Sequence, residues 1–598
     1  MDEKKQGWKQ YTRITLDKKR LARRVKKAEG ATQRHAHRFI IRRIDNIRLV
    51  SREITLWLLI VSAIIAAIGV QILVGQDQFM TSAAVGGGTY VEGVVGQVDS
   101  MNPLYISTPT EGSVSKLLFS SLYSYDETGS LKQDLANKME VNEAGVKYTV
   151  TLRDDVSWHD GNPLGAQDIV FTINLIKNPA TRSPLRVNWL DVSVVAVNET
   201  TVEFTLPATY AAFPHALTFP VLPEHILKPI APGAIRESTF SSSPIGSGPF
   251  TFRRLQMADT INDHKVVHVA ANKDYYGGRP KLDRFEIHAY PDEESLIKAL
   301  NSGELSGASG LSPVSRDQIT SDRYSVTAQP LHSGVYVLFN LNNPVLKDIK
   351  VRRALQAGTD TAQIRKDMGG RVLPLDGPLL ISQLEGDDIP RVADGNIDQA
   401  IKLLDEAGWK LNGSYRVKGD EQLSFAITTT KNSEFEKVLN SIEKQWQKLG
   451  IKVEKTVLDP TVGTVSFVQD VLQARNFDML LYELSIGGDP DVYAYWHSSQ
   501  VGQAGYNFTG YSSQRADASL ASARSRIEPD LRNAKYKQFV REWQNDVPAI
   551  GVYQSILEYV SRDSARAVQK DSQVVVESDR YANVQYWTVT SDTVYKTP

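Results

Sequence analysis

The sequence predicts a mixed α/β body preceded by one membrane-spanning helix. Residues 146–152 alternate apolar and polar side chains, which is the period-2 pattern of a half-buried strand. Residues 397–404 and 438–449 each carry an apolar stripe at helical spacing, and each stripe is followed by a glycine suited to a helix C-terminus, Gly408 and Gly450. Strands and helices that alternate in this way indicate an α/β fold, and the uncharged segment 54–74 is long enough to span a bilayer.

The segment 54–74 is predicted to cross a membrane. Its 21 residues carry no charge, and as a helix at about 1.5 Å per residue they would be roughly 31 Å long, which matches the hydrocarbon core of a bilayer. Arginines crowd its N-terminal side, whereas the first basic residue after it is Lys116. The positive-inside rule therefore places residues 1–53 in the cytoplasm as a basic segment, 54–75 in the membrane, and everything from a linker at 76–88 onward on the outer side.

A cleaved signal peptide is the alternative for this segment. The small residues Ser82, Ala83 and Ala84 would suit a cleavage site. Signal peptides, however, have shorter basic and apolar regions than the 53 and 21 residues found here. We therefore predict an uncleaved single-pass anchor in the cell membrane.

Composition and charge exclude several classes of function. The chain has no cysteine, so disulfides, thiolate metal sites, cysteine nucleophiles and a lipid-modified cysteine are ruled out. Residues 1–53 hold 17 basic and 6 acidic side chains, which leaves 51 basic and 63 acidic side chains in the rest. A body with this negative balance is not expected to bind nucleic acid. The motifs of zinc proteases, serine hydrolases and phosphate-binding loops are absent, and we expect no enzyme activity, no cofactor and no metal site.

One stretch joins a predicted strand to a predicted helix through a turn. Residues 152–171 read L-R-D-D-V-S-W-H-D-G-N-P-L-G-A-Q-D-I-V-F, which resembles a signature of the extracellular solute-binding proteins of the oligopeptide/dipeptide-binding family that serve ABC importers. One departure is Gly165, where the family usually has Ser or Thr, but glycine is an acceptable helix cap. Further pieces resemble motifs of the same family in the same order: P-I-G-S-G-P-F at 244–250, N-K-D-Y-Y-G-G-R-P at 272–280, G-E-L at 303–305, F-N at 339–340, V-R-R-A-L at 351–355 and L-L-D-E-A-G-W at 403–409.

The resemblance implies a bilobal clamp, the periplasmic-binding-protein fold, that closes on its ligand through a hinge. One lobe would hold residues 86–335, including a small extra subdomain, together with a C-terminal return at 551–598. The other lobe would hold residues 336–550. The implied function is that of an extracytoplasmic, monomeric solute-binding protein that captures peptides and delivers them to the permease subunits of an ABC importer.

The segment Phe477–Trp496 resembles the stretch that lines the cleft in this family. In its peptide-binding members an aspartate, three residues before the acidic residue of a D-P pair, holds the α-amino group of the peptide. When the D-P pair is aligned, that place is taken by Ile486, so the usual anchor is missing. Because burying an ammonium group without a counter-charge is costly, it would need another partner, and Glu483 on the opposite face of the strand, Asp489 and Asp491 are close in sequence.

We therefore predict seven ligand-binding residues: Tyr482, Glu483, Ile486, Asp489, Asp491, Tyr495 and Trp496. The ligand is either a peptide held by a shifted carboxylate or a molecule without a free amine, such as an oligosaccharide stacked on the aromatic rings. The competing interpretation is structural, with Asp489 and Asp491 capping a turn and the aromatic residues packing the lobe. For the whole protein, the alternative to transport is a ligand sensor that signals to a cytoplasmic partner through residues 1–53.

Overall fold

The computed structural model describes residues 51–595, apart from 260–262, 314, 370, 385–394 and 460–465, together with ten residues between 19 and 34. The chain divides into two compact units, one formed by residues 1–83 and 593–598 and the other by residues 84–592. The first unit contains the predicted membrane segment, and the second contains the α/β body. Most of the predicted cytoplasmic segment lies outside the described residues.

Strands and helices alternate along the described chain. The strands are β1 (Met80–Val85), β2 (Thr89–Val95), β3 (Tyr123–Tyr125), β4 (Leu131–Gln133), β5 (Ala136–Val141), β6 (Lys147–Leu152), β7 (Ser193–Asn198), β8 (Thr201–Thr205), β9 (Phe250–Asp259), β10 (His264–Ala271), β11 (Arg284–Tyr290), β12 (Gly307–Leu311), β13 (Tyr324–Phe339), β14 (Lys410–Asn412), β15 (Tyr415–Lys418), β16 (Glu421–Gln422), β17 (Ser424–Thr430), β18 (Lys452–Leu458), β19 (Met479–Ser485), β20 (Ala549–Arg562) and β21 (Thr590–Tyr595). The α-helices are α1 (Ser51–Phe79), α2 (Pro109–Leu118), α3 (Ala166–Lys177), α4 (Arg186–Trp189), α5 (Phe213–Ala216), α6 (Glu224–Leu227), α7 (Thr239–Ser242), α8 (Glu293–Ser302), α9 (Ile349–Ala357), α10 (Thr361–Asp367), α11 (Ile397–Glu406), α12 (Ser433–Gln447), α13 (Tyr493–Trp496), α14 (Gln514–Arg524) and α15 (Pro529–Asp546).

The first unit contains one long helix, α1, of 29 residues. Among the described residues it is the one helix that is long and apolar enough to cross a membrane, over Ser51–Gln71, and none of that span is buried. The helix continues four residues past its predicted end at 75, and β1 follows it directly and pairs with β21. The segment predicted as a linker, 76–88, is therefore irregular only at 86–88, because the backbone before it is hydrogen-bonded in a helix and a strand.

A ten-stranded sheet runs through the whole second unit, in the order β18-β17-β19-β13-β20-β12-β2-β11-β10-β9. Its two longest strands, β13 with 16 residues and β20 with 14, pair antiparallel in the middle of the sheet. Their register shifts between Pro330 and Gly334. Because each strand enters the hydrophobic cores on both sides of that shift, β13 and β20 are the two connections between the lobes of a bilobal α/β clamp.

Each lobe has its own hydrophobic core. The largest core is built from residues 90–289 and from returning residues between 559 and 587, and we call the part around it the first lobe. The second lobe is built on two cores that cover the two faces of the sheet. Successive residues of β13 alternate between these cores, since Val335, Val337 and Phe339 enter one and Tyr336 and Leu338 enter the other. Burial on both faces explains why residues 335–339 of this strand are continuously apolar.

The predicted local elements of the α/β body are present. The alternating segment 146–152 is β6, in a four-stranded sheet ordered β5-β6-β8-β7. The apolar stripe at 397–404 is α11, and the stripe at 438–449 is α12, after which Gly450 adopts a φ of 77° that a side chain would oppose. At the start of α3, where a Ser or Thr cap is missing, the backbone N–H of Gly165 donates to the Asp168 carboxylate at 2.9 Å.

Two of the family motifs meet in the first lobe. The N–H of Gly246 donates to His159 Nδ1 at 3.1 Å, and His159 Nε2 lies 3.1 Å from the carbonyl oxygen of Gly248. These partners assign a neutral ring with its proton on Nε2, and burial lowers the pKa of His159 to about 4. The histidine of the W-H-D-G turn and the glycines of the P-I-G-S-G-P-F turn therefore form one structural joint.

Candidate functional site

A cavity of about 640 Å³ lies between the two lobes, and we call it the main cavity. Its size falls within the range of small-molecule sites, and a cleft between hinged lobes is where such sites usually occur. Its wall comes from separate parts of the chain: residues between 106 and 125, Thr218 and Pro220 in the first lobe, Leu331 and Ser333 in β13, Glu483 and Ser485 in β19, and residues 575–579.

One face of α2 forms much of the first-lobe wall. The helix begins with a capping box in which the N–H of Glu111 donates to Thr108 Oγ1 and the Glu111 carboxylate accepts from the N–H of Thr108. Gly112 and Ser115 follow at helical spacing on the cavity side. Ser115 is 3% exposed, and its hydroxyl has no hydrogen-bond partner among the described residues. One residue of the cavity wall therefore carries a buried hydroxyl that no described residue satisfies.

The segment 575–579 closes the first-lobe side of the cavity and is held by two ion pairs. Lys116 Nζ lies 3.2 Å from Asp579 Oδ1. The next residue, Arg580, donates to the Glu92 carboxylate at 2.7 and 2.9 Å, and to the carbonyl oxygen of Glu577 at 2.7 Å. The backbone at Glu577 is thus held by the arginine of a salt bridge that lies wholly inside the first lobe.

The second-lobe wall is the cavity-facing side of β19. Glu483 and Ser485 line the cavity, whereas Leu484 between them enters the second-lobe core, as the period of two in a strand requires. The hydroxyl of Ser333, on the neighbouring strand β13, donates to Glu483 Oε1 at 2.5 Å. This hydrogen bond orients a carboxylate that is exposed towards the cleft.

A second cavity of about 180 Å³ shares Leu331, Glu483 and Glu577 with the main cavity. Glu293 at the start of α8 and Glu434 at the start of α12 complete its set of carboxylates. No lysine or arginine is among the described residues that line it. We call this space the acidic cavity.

Burial and mutual repulsion affect two of these carboxyl groups. Burial raises the pKa of Glu434 to about 7, with further increases from the nearby carboxylates of Glu483, Glu293 and Glu558, although a hydrogen bond from the Tyr553 hydroxyl lowers it. Burial likewise raises the pKa of Glu577, which Arg580 lowers and Glu483 raises further. Burial is the main cause of both shifts, and the neighbouring carboxylates of the acidic cavity add to them.

A third cavity, of about 220 Å³, opens from a different part of the main cavity and shares Lys116, Phe119 and Ser121 with it. Lys116, Lys132 and Arg153 line it, against the single carboxylate of Asp134. We call this space the basic cavity. The three adjoining spaces thus change from net positive to net negative charge along one cleft.

Of the predicted ligand-binding residues in β19, the structure places only Glu483 on the main cavity. Ile486, at the usual place of the anchor, is 6% exposed and packs in the second-lobe core. Tyr482 lies on the same side as that core, where its ring stacks on Phe467 at 6.0 Å and meets Phe508 edge-on.

Asp489 and Asp491 are held by arginines of the second lobe. Arg532 binds both oxygens of Asp489, at 2.7 and 2.9 Å, and Asp489 Oδ1 also accepts the N–H of Asp491 at 3.0 Å. Arg524 Nε lies 3.3 Å from Asp491, whose pKa is raised by burial and lowered by that arginine. Both aspartates therefore stabilise the turn before α13 and lie outside the wall of the main cavity.

The two remaining predicted residues, Tyr495 and Trp496, also pack in the second lobe. The Tyr495 hydroxyl donates to the carbonyl oxygen of Ser485 at 2.7 Å. Trp496 is 1% exposed and contacts Trp543 edge-on at 5.4 Å. These rings support β19 from behind. Of the seven predicted residues, the structure therefore places Glu483 on the main cavity, the two aspartates in ion pairs and the others in packing contacts of the second lobe.

Most of the cavity wall could not be predicted from the sequence. Glu293, Glu434, Glu577 and Lys116 belong to four distant segments that only the tertiary fold brings together. No local pattern marks them, since the ion pair between Lys116 and Asp579 joins residues 463 positions apart.

A bilobal clamp with a ligand-sized cavity between its lobes defines a solute-binding protein of the periplasmic-binding-protein class. The family model of the bacterial extracellular solute-binding proteins, family 5, matches residues 130–505, which is well over half of the chain. The chain therefore belongs to the family 5 bacterial extracellular solute-binding proteins, which are extracytoplasmic substrate-binding components of ABC transporters.

Relatives of known sequence or structure are similar over most of their length. The oligopeptide-binding protein AppA of Bacillus subtilis is 28% identical over 488 residues, covering 78% of this chain and 86% of AppA. The structure of AppA with a nonapeptide matches with a TM-score of 0.69 and 24% identity, over 85% of this chain and 99% of that one. A putative ABC transporter peptide-binding protein of Brucella ovis is 30% identical over 450 residues, or 72% and 80% of the two chains. NikZ of Campylobacter jejuni, solved with Ni(L-His), matches with a TM-score of 0.71 and 25% identity over 84% and 99%.

Proposed function

We propose that this protein is a membrane-anchored, extracytoplasmic solute-binding protein that captures peptides for an ABC importer, and that Glu483 holds the α-amino group of the peptide. The observation that carries this proposal is the position of the Glu483 carboxylate on the main cavity, while Ile486 is buried behind the same strand. Glu483 lies three residues before the usual position of the anchoring carboxylate, Ile486, and therefore on the other face of the strand. An ammonium group in the cleft would thereby regain a counter-charge.

The packing of the three predicted aromatic residues removes the stacking surface that the sequence suggested for an oligosaccharide, which supports a peptide. Sugar binding commonly uses exposed aromatic faces, but the rings of Tyr482, Tyr495 and Trp496 contact other side chains or the backbone of the second lobe. The relatives named for peptide binding, AppA and the Brucella ovis protein, support the same choice. Because the Brucella ovis relative is named as an ABC transporter protein, we propose import rather than sensing. The partners would be permease subunits, and the binding unit would be a monomer.

We expect Glu483→Gln to weaken peptide binding by about tenfold or more, because a hydrogen bond to a charged group contributes roughly 1.5–3 kcal/mol. The full chain in detergent micelles would first be screened by thermal shift against di- to pentapeptide pools, since a bound ligand stabilises the folded state. Isothermal titration calorimetry would then measure the affinity of the best peptide and of its N-acetylated form.

Glu436→Gln is the matched control, since this glutamate is exposed on α12 away from the cavities. N-acetylation should weaken binding to the parent protein and change little in the Glu483→Gln variant. Equal affinity of the parent and Glu483→Gln for the free peptide would remove Glu483 as the anchor. A response to oligosaccharides alone would overturn peptide capture itself.

The membrane anchor formed by α1 gives a separate prediction. Because α1 presents an uncharged span of 21 residues preceded by arginines, the protein should stay in the membrane pellet after extraction with alkaline carbonate. Protease added to spheroplasts should degrade the large unit and leave the N-terminal segment protected. Release of the full-length chain by carbonate, or N-terminal sequencing that begins near Ala84, would contradict an uncleaved anchor.

A further inference from the structure

The charges along the cleft carry information about the ligand beyond its α-amino group. The acidic cavity is lined by four carboxylates, of Glu293, Glu434, Glu483 and Glu577. Their hydrogen-bond partners are neutral: Ser312 and Ser315 bind Glu293, Tyr553 binds Glu434, and Ser333 binds Glu483. Neutral donors orient these groups and leave their charges uncompensated.

Glu577 lacks even a neutral partner. No side chain among the described residues hydrogen-bonds its carboxylate, which lines both the main cavity and the acidic cavity. Arg580 is next to it in space, but that guanidinium is fully buried against Glu92. A single α-amino group bound at Glu483 would therefore leave most of the negative charge in the acidic cavity without a counter-ion.

Two further features indicate where the rest of the ligand lies. Ser115, whose buried hydroxyl has no partner among the described residues, is one of the residues that line the main cavity, where a peptide backbone offers both donors and acceptors. The basic cavity, with Lys116, Lys132 and Arg153, adjoins the main cavity at a different part of its wall from the acidic cavity. Lys116 already pairs with Asp579 and Arg153 with Asp155. Lys132, whose ammonium group donates to the carbonyl oxygen of Ala582, is therefore the cation of this cavity that a ligand carboxylate would meet.

We propose that the preferred ligand is a short peptide whose amino-terminal residue is basic, with both of its positive charges in the acidic cavity and its carboxylate directed to the basic cavity. This proposal rests on the proposed function and specifies the class of peptide. A lysine or arginine side chain in the first position supplies the second cation next to the α-amino group. Acidic residues in that position would meet like charge.

The pH dependence of binding should reflect the acidic cavity. The groups facing Glu434 are Glu293 on α8, Glu483 on β19, and Tyr553 and Glu558 on β20. Because the pKa of Glu434 is raised to about 7, this carboxyl group is partly protonated in the empty cleft near neutral pH. A cation favours the ionised form, so binding should release protons at pH 7, and the preference for a basic residue should weaken as the pH falls from 8 to 6.

The test compares Lys-Ala-Ala, Ala-Ala-Lys, Ala-Ala-Ala and Glu-Ala-Ala on the full chain in detergent micelles by calorimetry at pH 8. We expect Lys-Ala-Ala to bind at least about tenfold more tightly than Ala-Ala-Ala, and Ala-Ala-Lys to gain less. Glu434→Gln and Glu577→Gln should each reduce the ratio of the affinities for Lys-Ala-Ala and Ala-Ala-Ala, whereas Glu436→Gln should keep it.

The number of protons released on binding can be measured on the unmodified protein. Titrations with Lys-Ala-Ala at pH 7 in phosphate and in Tris should differ in enthalpy, because the two buffers take up the released protons with different heats. Equal affinities for all four peptides would overturn this inference and leave peptide capture standing, as would tighter binding of Ala-Ala-Lys than of Lys-Ala-Ala. Failure of every peptide, with binding of oligosaccharides instead, would overturn the proposed function and this inference together.

Discussion

Arg580→Met is expected to lower the free energy of unfolding by about 3–5 kcal/mol, because it leaves the carboxylate of Glu92 buried without a counter-charge. Both side chains of this pair are fully buried. Arg580 donates two hydrogen bonds to Glu92 Oε1, and the Tyr559 hydroxyl donates to Glu92 Oε2 at 3.1 Å. The pair therefore ties the C-terminal return to β2 and β20 inside the first lobe.

The double variant Glu92→Leu with Arg580→Met separates the charge effect from the loss of contacts. Replacing a buried ion pair by apolar residues of similar size often costs little, so the double variant should regain much of the stability lost in the single one. Arg541→Met is the control, because Arg541 is exposed on α15 and should change stability by less than about 0.5 kcal/mol. Urea unfolding followed by the fluorescence of the nine tryptophans measures all three.

Arg580→Met should also weaken ligand binding. Arg580 fixes the carbonyl oxygen of Glu577, and the segment 575–579 forms part of the main cavity. If Arg580→Met and the double variant unfold at the same urea concentration as the parent protein, the pair does not contribute as proposed. If both are equally destabilised, packing around the pair, rather than its charge, accounts for the loss.

Much of the fold could be predicted because its signals are local. The apolar stripes of α11 and α12 lie within single helices, and the alternation at 146–152 lies within β6. The uncharged span in α1 is a continuous stretch of sequence as well. The ordered family motifs added the bilobal arrangement, which no single element determines. Each of these signals depends on neighbours a few residues apart, and such neighbours are visible in a sequence.

The candidate site was predictable only in part, because charges in sequence do not show their partners. Asp489 and Asp491 look available beside an aromatic-rich stretch, yet Arg532 and Arg524, some 30–45 residues later, bind them. Conversely, Glu434 and Glu577 lie in ordinary surroundings in the sequence and reach the cleft only after folding. The position of Glu483 on the cavity side could be predicted for a geometric reason, since the alternation of a strand puts residues 483 and 486 on opposite faces.

The family motifs themselves mark packing more than binding, and Gly246 shows this most strongly. A Cβ atom at Gly246 would lie 1.8 Å from the carbonyl oxygen of Leu118, and one at Gly248 would lie 2.6 Å from the Leu118 carbonyl carbon. The turn thus passes against the C-terminal end of α2, and the N–H of Gly248 donates to that same carbonyl oxygen at 2.9 Å. Only a residue without a side chain permits so close an approach of two backbones.

Gly246→Ala is therefore expected to destabilise the protein by about 3 kcal/mol or more, because backbone atoms on both sides must move to accommodate one methyl group. Gly502→Ala is the matched control, since its Cβ would meet no atom within 4 Å and the change should cost less than about 0.5 kcal/mol. Thermal unfolding of both variants measures the difference. Because α2 also supplies Gly112 and Ser115 to the main cavity, any Gly246→Ala protein that folds should bind peptide less tightly. If Gly246→Ala unfolds at the same temperature as the parent protein, the turn and the end of α2 can move apart at little cost, and the close contact is not needed for stability.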